Sequence, residues 1–102
     1  MVDAEWLERK AERASGLLKA MANQHRLIIL CLLLNGEKSV GELEQLIGLS
    51  QSALSQHLAR LRRDGLVQTR RSAQTIYYTL QGDNARQLIG TLYQMFCDTA
   101  QA

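Results

Sequence analysis

A mainly α-helical fold with one small β-hairpin is what the sequence predicts, on three observations. Apolar residues recur at helical spacing over most of the chain, capping residues stand at the breaks, and a strand-like period appears only after Gly65. With no proline, no internal repeat and no low-complexity stretch, the 102 residues read as one domain, 1–102, without a linker. A chain this short buries only a modest fraction of its surface alone, so a dimer is expected from the outset.

The first helix runs from Asp3 to Met21, where Leu7, Ala11, Ala14, Leu18 and Met21 form one stripe between charged faces. Asn23 caps a second helix, Gln24 to about Leu34, whose middle is apolar nearly all round and therefore belongs in a core; Asn35-Gly36 ends it. Ser39 with Glu42 three residues later forms a capping box for a short third helix, Val40 to Ile47, which Gly48 breaks. Ser50 caps a fourth helix reaching about Asp64, with Ala53, Leu54, Leu58 and Leu61 inward.

Beyond Gly65, Leu66 to Arg70 and Thr75 to Leu80 are rich in β-branched and aromatic residues, and a turn around Ser72-Ala73-Gln74 makes them a hairpin. Tyr77 and Tyr78 point to opposite faces, so one of them belongs to the core. A fifth helix, Asp83 to about Thr99, carries Ala85, Leu88, Ile89, Leu92, Tyr93, Phe96 and Cys97 as a broad apolar band. A monomer core does not account for the stripes of the two terminal helices, which predicts a symmetric dimer through helices one and five.

Helix, glycine turn and second helix with a polar start is the arrangement that lays its second helix into the major groove, and a hairpin behind it makes a winged helix-turn-helix. Leu43, Leu46, Ile47, Leu49, Ala53, Leu54, Leu58 and Leu61 hold the two helices together. Ser50, Gln51, Ser52, Ser55 and Gln56 offer short polar groups and amides to base edges, while Arg60, Arg62 and Arg63 lie where phosphates run. Arg70, Arg71 and Gln74 stand at or beside the hairpin tip, within reach of the backbone or the adjacent minor groove. Charge distribution agrees, since Ser50 to Thr75 holds five arginines against one acid and the remainder of the chain is net acidic. Charge alone is equally compatible with a solvated arginine face. The predicted partner is double-stranded DNA.

Other functions find little footing. His57 reads as a neutral hydrogen-bonding residue beside the phosphates rather than a metal ligand, since its only companion, His25, is distant in the chain. No serine has a histidine and a carboxylate in a catalytic pattern, and no glycine-rich phosphate loop occurs, so no enzyme and no cofactor are expected. The longest apolar run, Leu27 to Leu34, is eight residues, well short of a membrane span, and the N-terminus lacks a signal peptide's apolar core; the cytosol is the expected compartment.

The stretches MANQHRLIILCLL, VGELEQLIGLSQSALSQHLARLRRDGLV and IYYTL resemble the ArsR family of bacterial repressors over nearly the whole chain. That resemblance implies a homodimer bound to an inverted-repeat operator and released by an inducer. The family's arsenic and cadmium sensors carry thiolates at the start of the third helix, where this chain has Ser39-Val40-Gly41-Glu42. Its zinc sensors use carboxylates and histidines of the last helix; Asp83 is present, but no histidine follows His57. No metal is therefore expected at either site.

Read alone, Cys31 and Cys97 are small residues in apolar stripes. Their contexts, IILCLLL and QMFCDT, resemble the persulfide- and redox-sensing branch of the family, which implies reactive sulfur species as inducer and a disulfide or longer sulfur bridge between the two. Alternatives stay open: a metal at a non-standard site, a general oxidant, or a protein-interaction module that displaces another repressor.

Overall fold

The computed structural model describes residues 3–97. Five helices and three short strands follow in the order α1 (Ala4–Met21), α2 (Gln24–Leu33), β1 (Lys38–Ser39), α3 (Val40–Ile47), α4 (Gln51–Arg63), β2 (Val67–Ser72), β3 (Thr75–Leu80) and α5 (Asp83–Cys97). The expected end of the last helix, Thr99, lies outside the described residues.

The helix starts are set by local chemistry. Asp3, Asn23 and Ser50 each accept a backbone N–H of the first turn of their helix, supplying partners that the helix itself cannot provide. At α3 the capping box is complete: Glu42 N–H donates to Ser39 Oγ at 3.1 Å, and Ser39 N–H donates to Glu42 Oε1 at 2.8 Å. Gly48 ends α3 in the left-handed region at φ 77°, which turns the chain sharply enough for α4 to begin three residues later.

Helix α2 is the hub, touching α1, α3, α4, α5 and β3. Its Ile29, Leu30 and Leu33 are buried together with Leu43, Leu54, Leu58, Leu61, Val67, Leu80 and Ile89. Each such side chain contributes roughly 1.5–3 kcal/mol by leaving water. Arg26 fastens α1 to this hub from outside the core: its Nε donates to the Ala20 carbonyl at 2.6 Å and its Nη2 to that of Lys19 at 3.4 Å. Carbonyls in the last turn of a helix are natural acceptors for such a cation.

Four sequence expectations change. Leu46 does not join α3 to α4 but is exposed, because Val40, Leu43 and Ile47 occupy the inward arc and Leu46 is turned about 90° from its centre. The hairpin turn is Ala73-Gln74 alone, since β2 extends to Ser72, which pairs with Thr75. A third strand, β1, pairs antiparallel with β3 and gives the sheet order β1-β3-β2. Finally, the α1 stripe stays outside the subunit core: Met21 is buried, with Ala20 and half-buried Leu17 beside it, while Leu7, Ala11, Ala14 and Leu18 are exposed.

Candidate DNA interface and cysteine pair

Helix α4 divides cleanly by face. Leu54, Leu58 and Leu61 are buried and Ala53 is half-buried, whereas Gln51, Ser52, Ser55 and Gln56 are exposed on the first two turns, with exposed Ser50 just before them. Ser50 Oγ accepts the Ala53 N–H at 3.1 Å, so its hydroxyl is engaged as the cap. The helix end is basic but partly self-neutralised. Arg60 Nε donates to Asp64 Oδ2 at 3.0 Å, and Arg63 Nε approaches Asp64 Oδ1 at 3.6 Å. Both guanidinium groups hold the Asp64 carboxyl below the usual carboxylate range, the hydrogen bond from Arg60 most of all. Among the described residues, Arg62 has no acid within ion-pair distance.

Between α4 and β3 lies a groove of about 600 Å³ lined by Ser55, Arg62 and Arg63 together with Leu58, Ile76 and Tyr78. Tyr78 is the tyrosine that packs on the core; Tyr77 faces the other way and carries Arg70, whose guanidinium carbon sits 4.4 Å from its ring centre. Arg70 is not at the wing tip but opposite Tyr77, held by Glu37 through two hydrogen bonds of 2.6 and 2.8 Å. Arg71 and Gln74 are exposed nearer the tip.

His57 lies half-buried on α4 with its ring centre 5.8 Å from that of His25 on α2. The sequence separates these two; the packing of α2 on α4 brings them together. Burial pushes His57 below the ordinary histidine range, and the charges of Arg26 and His25 push in the same direction. Arg26 beside the pair disfavours a further cation there, and no group of three metal-binding side chains occurs among the described residues.

The cysteines occupy a different part of the molecule. Cys31 is half-buried against the core on α2, and Cys97 is exposed at the end of α5, both as free thiols. Burial raises the Cys31 thiol above its ordinary value, and the nearby charge of Cys97 raises it further. Cys97 also lines a hollow of about 340 Å³ with Leu34, Gly90, Tyr93 and Gln94.

These features define a winged helix-turn-helix protein with an exposed polar recognition helix and a basic groove. A family model described as "Bacterial regulatory protein, arsR family" matches residues 23–69. The chain is 55% identical to the transcriptional activator HlyU of Vibrio cholerae over 93% of its own length and 88% of that protein's. It is 46% identical to the biofilm growth-associated repressor of Xylella fastidiosa over 91% of this chain and 82% of the other. The solved structure of reduced HlyU from Vibrio cholerae superposes with a TM-score of 0.87 at 56% identity, covering 89% of this chain and 96% of that one. The chain belongs to the ArsR family of bacterial regulatory proteins and is a DNA-binding transcriptional regulator, not an enzyme. No helix among the described residues is long and apolar enough to cross a membrane.

Proposed function

We propose that the whole chain acts in the cytoplasm as one DNA-binding unit, a homodimeric repressor whose Cys31 and Cys97 sense reactive sulfur species. The observation that carries this reading is the placement of the two thiols: one on the central helix α2, the other on α5, a helix with a large unpartnered apolar face. Of the eight large apolar side chains left exposed among the described residues, six (Trp6, Leu7, Leu18, Tyr93, Met95, Phe96) lie on α1 and α5, which is where a second copy would sit. A hollow of about 950 Å³ between α1 and the start of α5 leaves room for elements of that copy.

In this reading each subunit presents Ser50, Gln51, Ser52, Ser55 and Gln56 to the base edges of one half of an inverted-repeat operator. Arg60, Arg62, Arg63, Arg71 and Gln74 fix it to the backbone, with neutral His57 behind them. The sulfur chemistry starts at Cys97, the accessible thiol. Its thiolate attacks an organic polysulfide RS–Sn–SR, forming a Cys97–sulfur bond and releasing RS⁻. The Cys31 thiolate then attacks that chain, closing a bridge between the cysteines and releasing a second RS⁻, so two thiols are oxidised as the polysulfide is reduced. A covalent tie from α2 to α5 shifts the dimer surface, and a coupling of about 1–3 kcal/mol changes operator affinity roughly 5- to 150-fold.

Mass spectrometry after polysulfide treatment, paired with DNA binding on the same sample, tests the mechanism. A linked Cys31–Cys97 peptide pair and weakened binding are expected. Unchanged peptide masses with unchanged affinity would falsify it, and a response to zinc or copper instead would assign another inducer. A second reading, activation by displacing a different repressor, is favoured by the activator name of the Vibrio relative. A reporter that responds only when a second DNA-binding protein is present would support it.

A further inference from the structure

The three-stranded sheet puts the two wing arginines to opposite uses. Arg70 is paired with Tyr77 and Arg71 with Ile76, and neighbouring positions on a strand face opposite ways. Ile76 lines the groove beside α4 with Arg62 and Arg63, so Arg71 shares that face. Arg70 is on the other face. Glu37 stands one residue before β1, where Ser39 pairs with Tyr77; by the same alternation Glu37, Tyr77 and Arg70 share one surface of the sheet.

On that surface the Arg70 guanidinium is held by Glu37 and Tyr77. Its Nε and Nη2 donate to the two separate carboxylate oxygens of Glu37, thirty-three residues away in the chain, at 2.6 and 2.8 Å, and its guanidinium carbon sits over the Tyr77 ring, on the strand between them, 4.4 Å from the ring centre. The contact therefore spans the sheet from the segment entering β1, across β3, to β2. Most exposed ion pairs contribute little, but a two-pronged fork seated over an aromatic ring has the geometry in which they do.

We infer that Glu37 and Arg70 are positioning residues: their fork holds the wing at the angle that aims Arg71 and the Ala73-Gln74 turn at DNA, and Arg70 itself makes no phosphate contact. This rests on the DNA-binding reading above and assigns the division of labour within it. A contact that anchors the wing has an effect opposite in sign to that of its charge. Removing the Glu37 carboxylate makes the protein more positive, which by electrostatics alone strengthens DNA binding, whereas loss of the anchor weakens recognition.

The probe is a duplex selected by the wild-type protein from a randomised pool, with an unselected duplex as competitor, and binding is read by fluorescence anisotropy across a potassium chloride series. The ratio of the two affinities cancels uniform charge effects. Glu37→Gln and Arg70→Glu are expected to lower this ratio by up to about fivefold each. The exchanged pair Glu37→Arg with Arg70→Glu rebuilds the fork and brings the ratio back to within about twofold of wild type. Arg71→Ala, in contrast, lowers the slope of log affinity against log salt by about one. A ratio that rises or stays level in Glu37→Gln, or an exchanged pair as impaired as Arg70→Glu alone, overturns the inference. Failure of the wild-type protein to select any duplex overturns instead the DNA-binding reading on which it rests.

Discussion

His57 shows how a residue of the recognition helix answers to its neighbours more than to its type. On α4, facing α2 with Arg26 and His25 beside it, it has a pKa held below the ordinary histidine range, by burial first and by those charges next. Above about pH 6.5 the imidazole is neutral in the folded and the unfolded chain alike, so it carries no pH-dependent penalty. As pH falls through that value the unfolded chain takes up a proton that the folded one resists, and stability declines. Thermal melts between pH 7 and pH 5 are expected to show this fall, and His57→Gln should make it shallower. An identical slope in the variant would place the titration elsewhere.

Among the elements, the wing turn is the one built against local preference. Ala73 sits at φ 57°, a left-handed conformation that costs a residue with a Cβ about 1–2 kcal/mol, while the turn has only two residues in which to reverse the chain. Glycine there removes the strain but enlarges the freedom of the unfolded chain, so Ala73→Gly should stabilise by about 0.5–1 kcal/mol, read as a raised thermal midpoint. A lowered midpoint would mean that the Ala73 side chain contributes packing that its exposure does not suggest. Gly48 is the counterpart at the end of α3, where the sequence already supplies the residue that the left-handed backbone favours.

For the whole molecule, the apolar faces of α1 and α5 make the strongest demand. Phe96 is 78% exposed and Leu18 55%, more than a lone subunit usually leaves to water on elements so rich in apolar residues. If these faces pack against a second copy, a double charge substitution, Leu18→Glu with Phe96→Glu, should convert a dimer mass in light scattering to a monomer mass while helical circular dichroism is retained. Because both α1 and α5 border the core through α2, operator affinity should fall with it. A wild-type mass that stays monomeric across concentration would remove the dimer and, with it, the paired half-site geometry.

What the sequence determined by itself is everything governed by neighbours within a few residues. Caps at Asn23, Ser39 and Ser50 and the stop at Gly48 set helix boundaries to within a residue or so, because a helix end is closed by groups on its own turn, and Asp3, read as the first helical residue, proved to be the cap of α1. The inward Leu54, Leu58 and Leu61 and the outward Gln51, Ser52, Ser55 and Gln56 follow from the same local period. Only the tertiary structure decided the rest. Strand β1 has no period of its own and exists because Lys38 and Ser39 pair with Tyr78 and Tyr77. His25 reaches His57, and Glu37 reaches Arg70, through the packing of separate elements, so neither pair leaves a spacing in the sequence to be read. Leu46 looked like core by type and proved exposed, because an eight-residue helix can turn only a narrow arc inward. The tertiary arrangement also places Arg70 against Glu37 and Arg71 on the groove side of the sheet, a distinction the shared side-chain chemistry of two adjacent arginines cannot make.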